Sequence, residues 1–364
     1  MSDSSNEVPY ISLSYQGIMT NRQCLASQQV VNPDEPIFEI VDSPIPSPGP
    51  GEVLLRVLAC GVCHSDSFSV VGAFKNCFPV VPGHEVIGKV VEAGTDTSAQ
   101  KFEEGAVVGI GWHGNHCQSC EACSEGDFVC CETQQITGIH FGGGYQQYML
   151  APAKTLARVP GGMSPIAAAP LLCAGVTVFN ALRGNVEKAK PPAIVAVVGV
   201  GGLGHLAIQY ATKFGYTVVA ISRGSDKKEH ALELGAAHYI DSKAENVGEA
   251  LQSLGGAKIV LSTAPSAKAA GACIDGLSRN GKLVVIGATM DQIPVTPIQL
   301  IGKRRAIVGW PSGTARDSQD AMEFACTHNI RAKTVVFEGV DKAPEAYAAM
   351  RQGAYRVVIK VADE

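Results

Sequence analysis

Charge is scarce in this chain: Asp, Glu, Lys and Arg make up 17% of residues, and the formal net charge is −5. With 46% hydrophobic residues, that scarcity excludes an intrinsically disordered chain and implies well-buried cores. Basic runs are nearly absent. The longest, Lys303 to Arg305 in GKRRAIVG, reads as the solvated lead-in to a strand, and the acidic balance speaks against a nucleic-acid surface. No uninterrupted apolar run reaches about 18 residues, which excludes a simple membrane-spanning helix. The opening MSDSSNEVPY has neither the apolar centre of a secretory signal nor the basic character of a transit peptide, so a cytoplasmic location is expected. Internal repeats and low-complexity segments are missing too. A length of 364 residues suggests two domains.

Cysteine, by contrast, is plentiful. Twelve of them without a secretory signal point to metal ligands and reduced thiols rather than disulfides. The densest stretch is HCQSCEACSEGDFVCC, which carries Cys117, Cys120 and Cys123 at Cys-x₂-Cys spacing and then Cys130 and Cys131. Such spacing puts sulfurs on one turn within reach of a single tetrahedral zinc, and a fourth cysteine closes the shell. Spacing alone admits an iron–sulfur cluster as well. A second set is dispersed: Cys63, Ser65 and Asp66 in CGVCHSDSF, His84 and Glu85 in VVPGHEVIGKV, and Cys173 in PLLCAGVTVF. Taken singly, Cys173 reads as a small buried hydrophobe and His84 as a structural histidine.

From Glu52 onward, short apolar runs alternate with Gly and Pro, as in VLLRVLACGV and VIGKVVEAG, which predicts strands joined by tight turns. Beyond about Pro170, β-branched runs such as AIVAVVGV and TVVAIS alternate with helix-length segments, which predicts a parallel sheet covered on both faces. VVGVGGLGHLAIQYA places Gly199, Gly201 and Gly204 in G-x-G-x-x-G spacing between a strand and a helix. In that context the spacing is a dinucleotide-binding fingerprint, with Gly202 and Leu203 in the loop and the helix N-terminus facing the phosphates. An acid at the end of the following strand would favour NAD. AISRGSDKKE has Ser222 and Arg223 there instead, with Lys227 and Lys228 close behind, so NADP is the expected preference and NAD the lesser alternative. Asp226 is expected to lie past the strand and cap the next helix.

The ordered set GVCHSD, PGHEVIGKVVEAG, the Cys-x₂-Cys-x₂-Cys-x₇-Cys lobe, LLCAGVTVF and GVGGLG resembles the zinc-dependent medium-chain alcohol dehydrogenases, closest to the yeast-type and cinnamyl-alcohol-type branches. The likeness runs from about Ile37 to the C-terminus. It implies an α/β chain: a GroES-like β-rich catalytic domain over residues 1–173 and 307–364, with a zinc lobe near 116–132, and a Rossmann doubly wound parallel-sheet domain over 174–306. It also implies two zinc ions per chain. Cys63, His84 and Cys173 would bind the catalytic zinc, with Glu85 behind it as an occasional ligand and Asp66 fixing the His84 tautomer. Cys117, Cys120, Cys123 and Cys131 would bind the structural zinc, leaving Cys130 spare. Ser65 would hydrogen-bond the substrate oxygen and pass its proton on. Phe68 stands where many relatives carry a relay histidine. His64 would lie near the cofactor pyrophosphate, and Trp112 and Phe68 would wall the substrate pocket, with Phe74 and Trp310 as weaker candidates.

The implied activity is hydride transfer between nicotinamide and a small-molecule alcohol, aldehyde or ketone, in a homo-oligomer, dimer or tetramer, with no nucleic-acid or membrane partner. Two other readings stand beside it. The same fold could perform 1,4-reduction of an activated alkene or reduction of an iminium. A zinc-binding nucleic-acid-binding protein is the remote third, opposed by Glu121, Glu125 and Asp127 inside the lobe.

Overall fold

The computed structural model describes residues 20–74, 78–95, 101–185 and 190–363; the polar opening MSDSSNEVPY lies outside them. Five strands begin the larger sheet: β1 (Glu52–Val62), β2 (Glu85–Ala93), β3 (Val107–Ile110), β4 (Tyr148–Pro152) and β5 (Ala157–Arg158). Six more follow: β6 (Ile194–Val198), β7 (Thr217–Ser222), β8 (His238–Asp241), β9 (Ala257–Ser262), β10 (Leu277–Val285) and β11 (Ala306–Gly309). β12 (Thr334–Glu338) and β13 (Arg356–Lys360) close the chain.

The first and last groups share one seven-stranded sheet in the order β12-β13-β1-β2-β3-β5, with β4 beside β1. β13 runs antiparallel to β1, so the C-terminal segment returns to the GroES-like domain. β1 is central, and all its residues except Glu52 and Arg56 are buried. Its apolar run is therefore continuous rather than alternating. The middle group forms an all-parallel sheet in the order β8-β7-β6-β9-β10-β11. This is the doubly wound Rossmann arrangement, whose topological switch lies between β6 and β9 and opens a crevice at their carboxyl ends. The expected boundary at 306–307 falls inside β11, which belongs wholly to the parallel sheet. Within the run Lys303 to Arg305, Arg305 is not solvated: its side chain is 7% exposed and bonds Asp275 and the carbonyls of Leu277 and Gln299.

Helix α1 (Ala174–Arg183) joins the two sheets, packing on α2 (Gly204–Lys213) and α3 (Ala315–His328). One apolar core runs from Ala59 and Ile87 through Leu172 to Val195 and Leu206, so the domains are packed together rather than strung on a linker. Among the described residues no single helix is long and apolar enough to cross a membrane, and the bent pair Pro165–Leu172 and Ala174–Arg183 that passes on composition is largely buried in this core.

Candidate metal centre and dinucleotide site

Cys63 follows β1, His84 immediately precedes β2, and Cys173 stands at the N-terminus of α1. Their Sγ and imidazole nitrogen atoms, with a Glu85 carboxylate oxygen, all lie within 4.8 Å of one another, and the two sulfurs are 3.9 Å apart. Asp66 is 1% exposed and accepts three hydrogen bonds: from the Cys63 amide (2.9 Å), from His84 Nδ1 (2.7 Å) and from the Tyr145 hydroxyl (2.9 Å). With Nδ1 committed to Asp66 Oδ1, Nε2 is the ring nitrogen left to face a metal, and against the burial that lowers it the His84 pKa is raised by the same contact with Asp66. That Nε2 is buried with no protein partner. Two thiols and an imidazole with an uncommitted lone pair form a donor set that fits zinc. The Cys63 thiol is held well below its usual range, chiefly by the hydrogen bond with Cys173, whose own pKa rises through the same contact. Burial pushes the Glu85 carboxyl up to about 7 against the opposing charge of Arg356.

The second cluster is local. Cys117, Cys120, Cys123 and Cys131 lie within the same 4.8 Å limit, while the exposed Cys130 is not among them. Backbone amides of Ser119 (3.4 Å) and Cys120 (3.3 Å) donate to Cys117 Sγ, and the Cys117 amide donates to Cys131 Sγ (3.3 Å). Bonds from Ser119 and Cys120 bring the Cys117 thiol down to about 5.

At the end of β6, Gly199 has φ +94° and leads into a loop that a side chain would obstruct. A Cβ on Gly204 would overlap the Gly199 carbonyl, and one on Gly202 would lie 2.6 Å from the Tyr355 carbonyl, whereas Gly201 faces open space. Leu203 caps α2 without a side-chain hydrogen bond, and of the first-turn amides that of His205 donates to the Gly201 carbonyl at 3.0 Å. Ser222 ends β7, Arg223 is exposed, and Lys227 reaches back to donate to the Val200 carbonyl at 2.9 Å. Asp226 lies past the strand but does not cap the next helix: Lys227 is the cap residue, with no side-chain bond. Ser65 and the exposed His64 occupy the turn between Cys63 and Asp66. The His64 pKa is lowered, first by partial burial and then by the charges of Arg351 and Arg356. The Trp112 ring stands edge-on to His84 at 5.0 Å, and Phe68 lies 6.3 Å from both Trp112 and Phe74. Trp310 is elsewhere, packed against Gly184 at the end of α1.

Residues 49–161 match the alcohol dehydrogenase GroES-like domain, and residues 202–327 match the zinc-binding dehydrogenase domain. The alcohol dehydrogenase patD of Penicillium expansum is 46% identical over 84% of this chain and 88% of its own length. The chain belongs to the zinc-dependent medium-chain alcohol dehydrogenases. A cinnamyl alcohol dehydrogenase from Sorghum bicolor superposes with TM-score 0.82 at 28% identity, over 94% of this chain and 98% of that one. One from Helicobacter pylori complexed with NADP(H) gives 0.79 at 27% identity over the same shares. The enzyme is thus an oxidoreductase acting on alcohols, with zinc and a nicotinamide cofactor.

Two further residues at this enzyme's site went unread in the sequence. Tyr145 follows the triple glycine in FGGGYQQY; Gly83 gives it space, since a Cβ there would lie 2.6 Å from its ring. Arg356 opens the apolar strand RVVIK, forms a buried ion pair with Glu85, and keeps its Nε without a partner. An arginine directly before the apolar run Val357–Ile359 was the available signal.

Proposed function

We propose that Cys63, His84 and Cys173 hold the catalytic zinc, that the four lobe cysteines hold a second, structural one, and that the enzyme prefers NADP(H). The uncommitted Nε2 of buried His84, with Asp66 behind it, is the observation that carries this reading. A zinc bound there supplies a Lewis acid for the substrate oxygen, and the nicotinamide carries the hydride. Asp66 holds the imidazole in the ligating tautomer. Ser65, on the same turn as Cys63, exchanges a proton with the substrate oxygen at its Oγ. With phenylalanine at position 68, that proton leaves by a route that does not pass through this side chain. Trp112 and Phe68 exclude water and orient the carbon skeleton, which supports aryl or medium-chain alcohols and their carbonyl partners. The lobe cysteines, with all four positions filled by sulfur, leave no place for substrate. Family membership supports a homo-oligomer.

For the cofactor, Ser222 and Arg223 offer a hydroxyl and a cation where an acid would repel a 2′-phosphate, and Lys227 adds a second cation. Initial rates with NADPH and NADH test this directly. Wild type is expected to show the higher kcat/KM with NADPH, and Ser222→Asp to reverse the order; a wild-type preference for NADH would refute the assignment. Cys63→Ala and His84→Ala should abolish turnover while dinucleotide binding persists.

A further inference from the structure

Arg356, Gly61 and Glu85 stand on three neighbouring strands. β13 pairs with β1, placing Val358 opposite Gly61, and β1 pairs with β2, placing Gly61 opposite Glu85. Glu85 nonetheless makes its ion pair with Arg356, on the far side of β1. Its side chain therefore crosses β1, and it crosses at Gly61. A Cβ at position 61 would overlap the Glu85 carboxylate and come within 2.9 Å of its Cβ and Cδ; the three nearest atoms all belong to Glu85. Gly61 has no positive φ that would demand glycine for conformational reasons. The crossing side chain is the one local reason for its being glycine.

The two ends of the pair face different parts of the site. Glu85 lies in the cluster with Cys63, His84 and Cys173. Arg356 Nη1 lies 3.4 Å from where a Cβ on Gly202 would stand, beside the glycine loop. Both partners are buried, and Glu85 Oε2 and Arg356 Nε have no other protein partner.

We propose that Gly61 is a positioning residue: by leaving β1 bare at the crossing, it lets one ion pair link the metal ligands to the dinucleotide loop, so that metal retention and dinucleotide binding are coupled. The proposal rests on the metal and dinucleotide reading above. Linkage makes the coupling reciprocal at equilibrium: bound dinucleotide raises metal affinity by the same factor by which bound metal tightens dinucleotide.

The test uses the zinc-loaded enzyme and whichever of NADPH or NADH wild type binds more tightly. Dinucleotide Kd is measured by fluorescence titration, and zinc loss is read at equilibrium after dialysis against a competing chelator, with and without dinucleotide. In wild type, dinucleotide should reduce the loss of one zinc. In Gly61→Ala, Kd should rise about 10-fold, within the usual range of coupling energies, and the dinucleotide effect on zinc loss should vanish. Gly88→Ala on β2, whose Cβ would meet Leu55 and Arg56 rather than Glu85, controls for strand strain and should lower thermal stability without changing either readout. The double variant Gly61→Ala/Glu85→Gly should match Glu85→Gly alone. If Gly61→Ala fails to fold, the double variant should recover the folding of Glu85→Gly; continued failure would overturn the proposal. So would a Gly61→Ala enzyme with wild-type Kd and intact coupling, or a wild type in which dinucleotide leaves zinc loss unchanged. A wild type that held no zinc or bound no dinucleotide would instead remove the underlying reading.

Discussion

Asp66→Asn keeps the number of heavy atoms and almost the same volume, so it isolates the charge and the acceptor capacity of the buried carboxylate. In the native site Oδ1 accepts from His84, while Oδ2 accepts from the Cys63 amide and the Tyr145 hydroxyl. An amide has one oxygen and one NH₂, and each orientation fails somewhere. With the oxygen facing Cys63 and Tyr145, the NH₂ points at His84 Nδ1, which must then accept; the proton moves to Nε2 and the free lone pair is lost. With the oxygen facing His84, the NH₂ meets the Cys63 amide donor to donor. A buried unsatisfied donor costs about 1–3 kcal/mol, so thermal stability should fall. Removing the partner that orients a ligating histidine typically weakens metal binding about 10–100-fold, or roughly 1.4–2.8 kcal/mol. Chelator competition gives the zinc affinity, and ¹⁵N NMR of the zinc-stripped protein gives the His84 tautomer. An Asp66→Asn enzyme that kept both the wild-type zinc affinity and the Nδ1–H tautomer would refute the reasoning.

Cys131→Ser should reduce bound zinc from two per chain to one, whereas Cys130→Ser should keep both, because Cys130 stands outside the four-thiol cluster; metal analysis of the purified variants decides between them. His205 contributes a stability that depends on pH. Burial lowers its pKa from 6.5 to about 4, so the unfolded chain binds the proton first as pH falls. Its contribution is therefore full above about pH 6.5 and is lost progressively toward pH 4, by up to about 3 kcal/mol. Urea unfolding of wild type and His205→Gln across that window should show the shallower pH dependence in the variant, and parallel curves would rule His205 out.

What could be read from the sequence depended on how local each feature is. IVAVV, TVVAIS and the glycine loop were legible because strand composition and G-x-G-x-x-G spacing act over a few residues. The lobe cysteines were legible for the same reason. Cys63, His84 and Cys173 carry no shared spacing and could be grouped only through the family resemblance. The ion pair between Glu85 and Arg356 was not legible at all, since it depends on β13 joining β1 beside β2. Tyr145 was hidden likewise, because its partner Asp66 lies 79 positions earlier. Two local expectations also failed through tertiary packing: Asp226 yields the cap position to Lys227, and Arg305 turns inward to bond Asp275 and neighbouring carbonyls.

The same geometry explains why so dense a set of cysteines sits in a lobe rather than at the reacting centre. The lobe is bracketed by a small hairpin in which His113 pairs with Ile136 and Asn115 with Gln135. Arms this short cannot hold their own register. A zinc held by the four-thiol cluster would tie the chain between them, the ring stack of His116 on Phe128 (4.2 Å) braces it, and Lys154 bonds the His116 carbonyl at 2.7 Å to anchor it to the sheet. Fixing the hairpin also fixes Trp112, one residue before it, whose carbonyl accepts from the Thr137 amide at 3.3 Å. Trp112, Ile136 and Ile139 then join Phe68 and Phe74 in one apolar group against His84. In the proposed reading the cysteine-rich lobe bears on catalysis through the wall it positions, and a zinc closed by four sulfurs would make it rigid without competing for substrate.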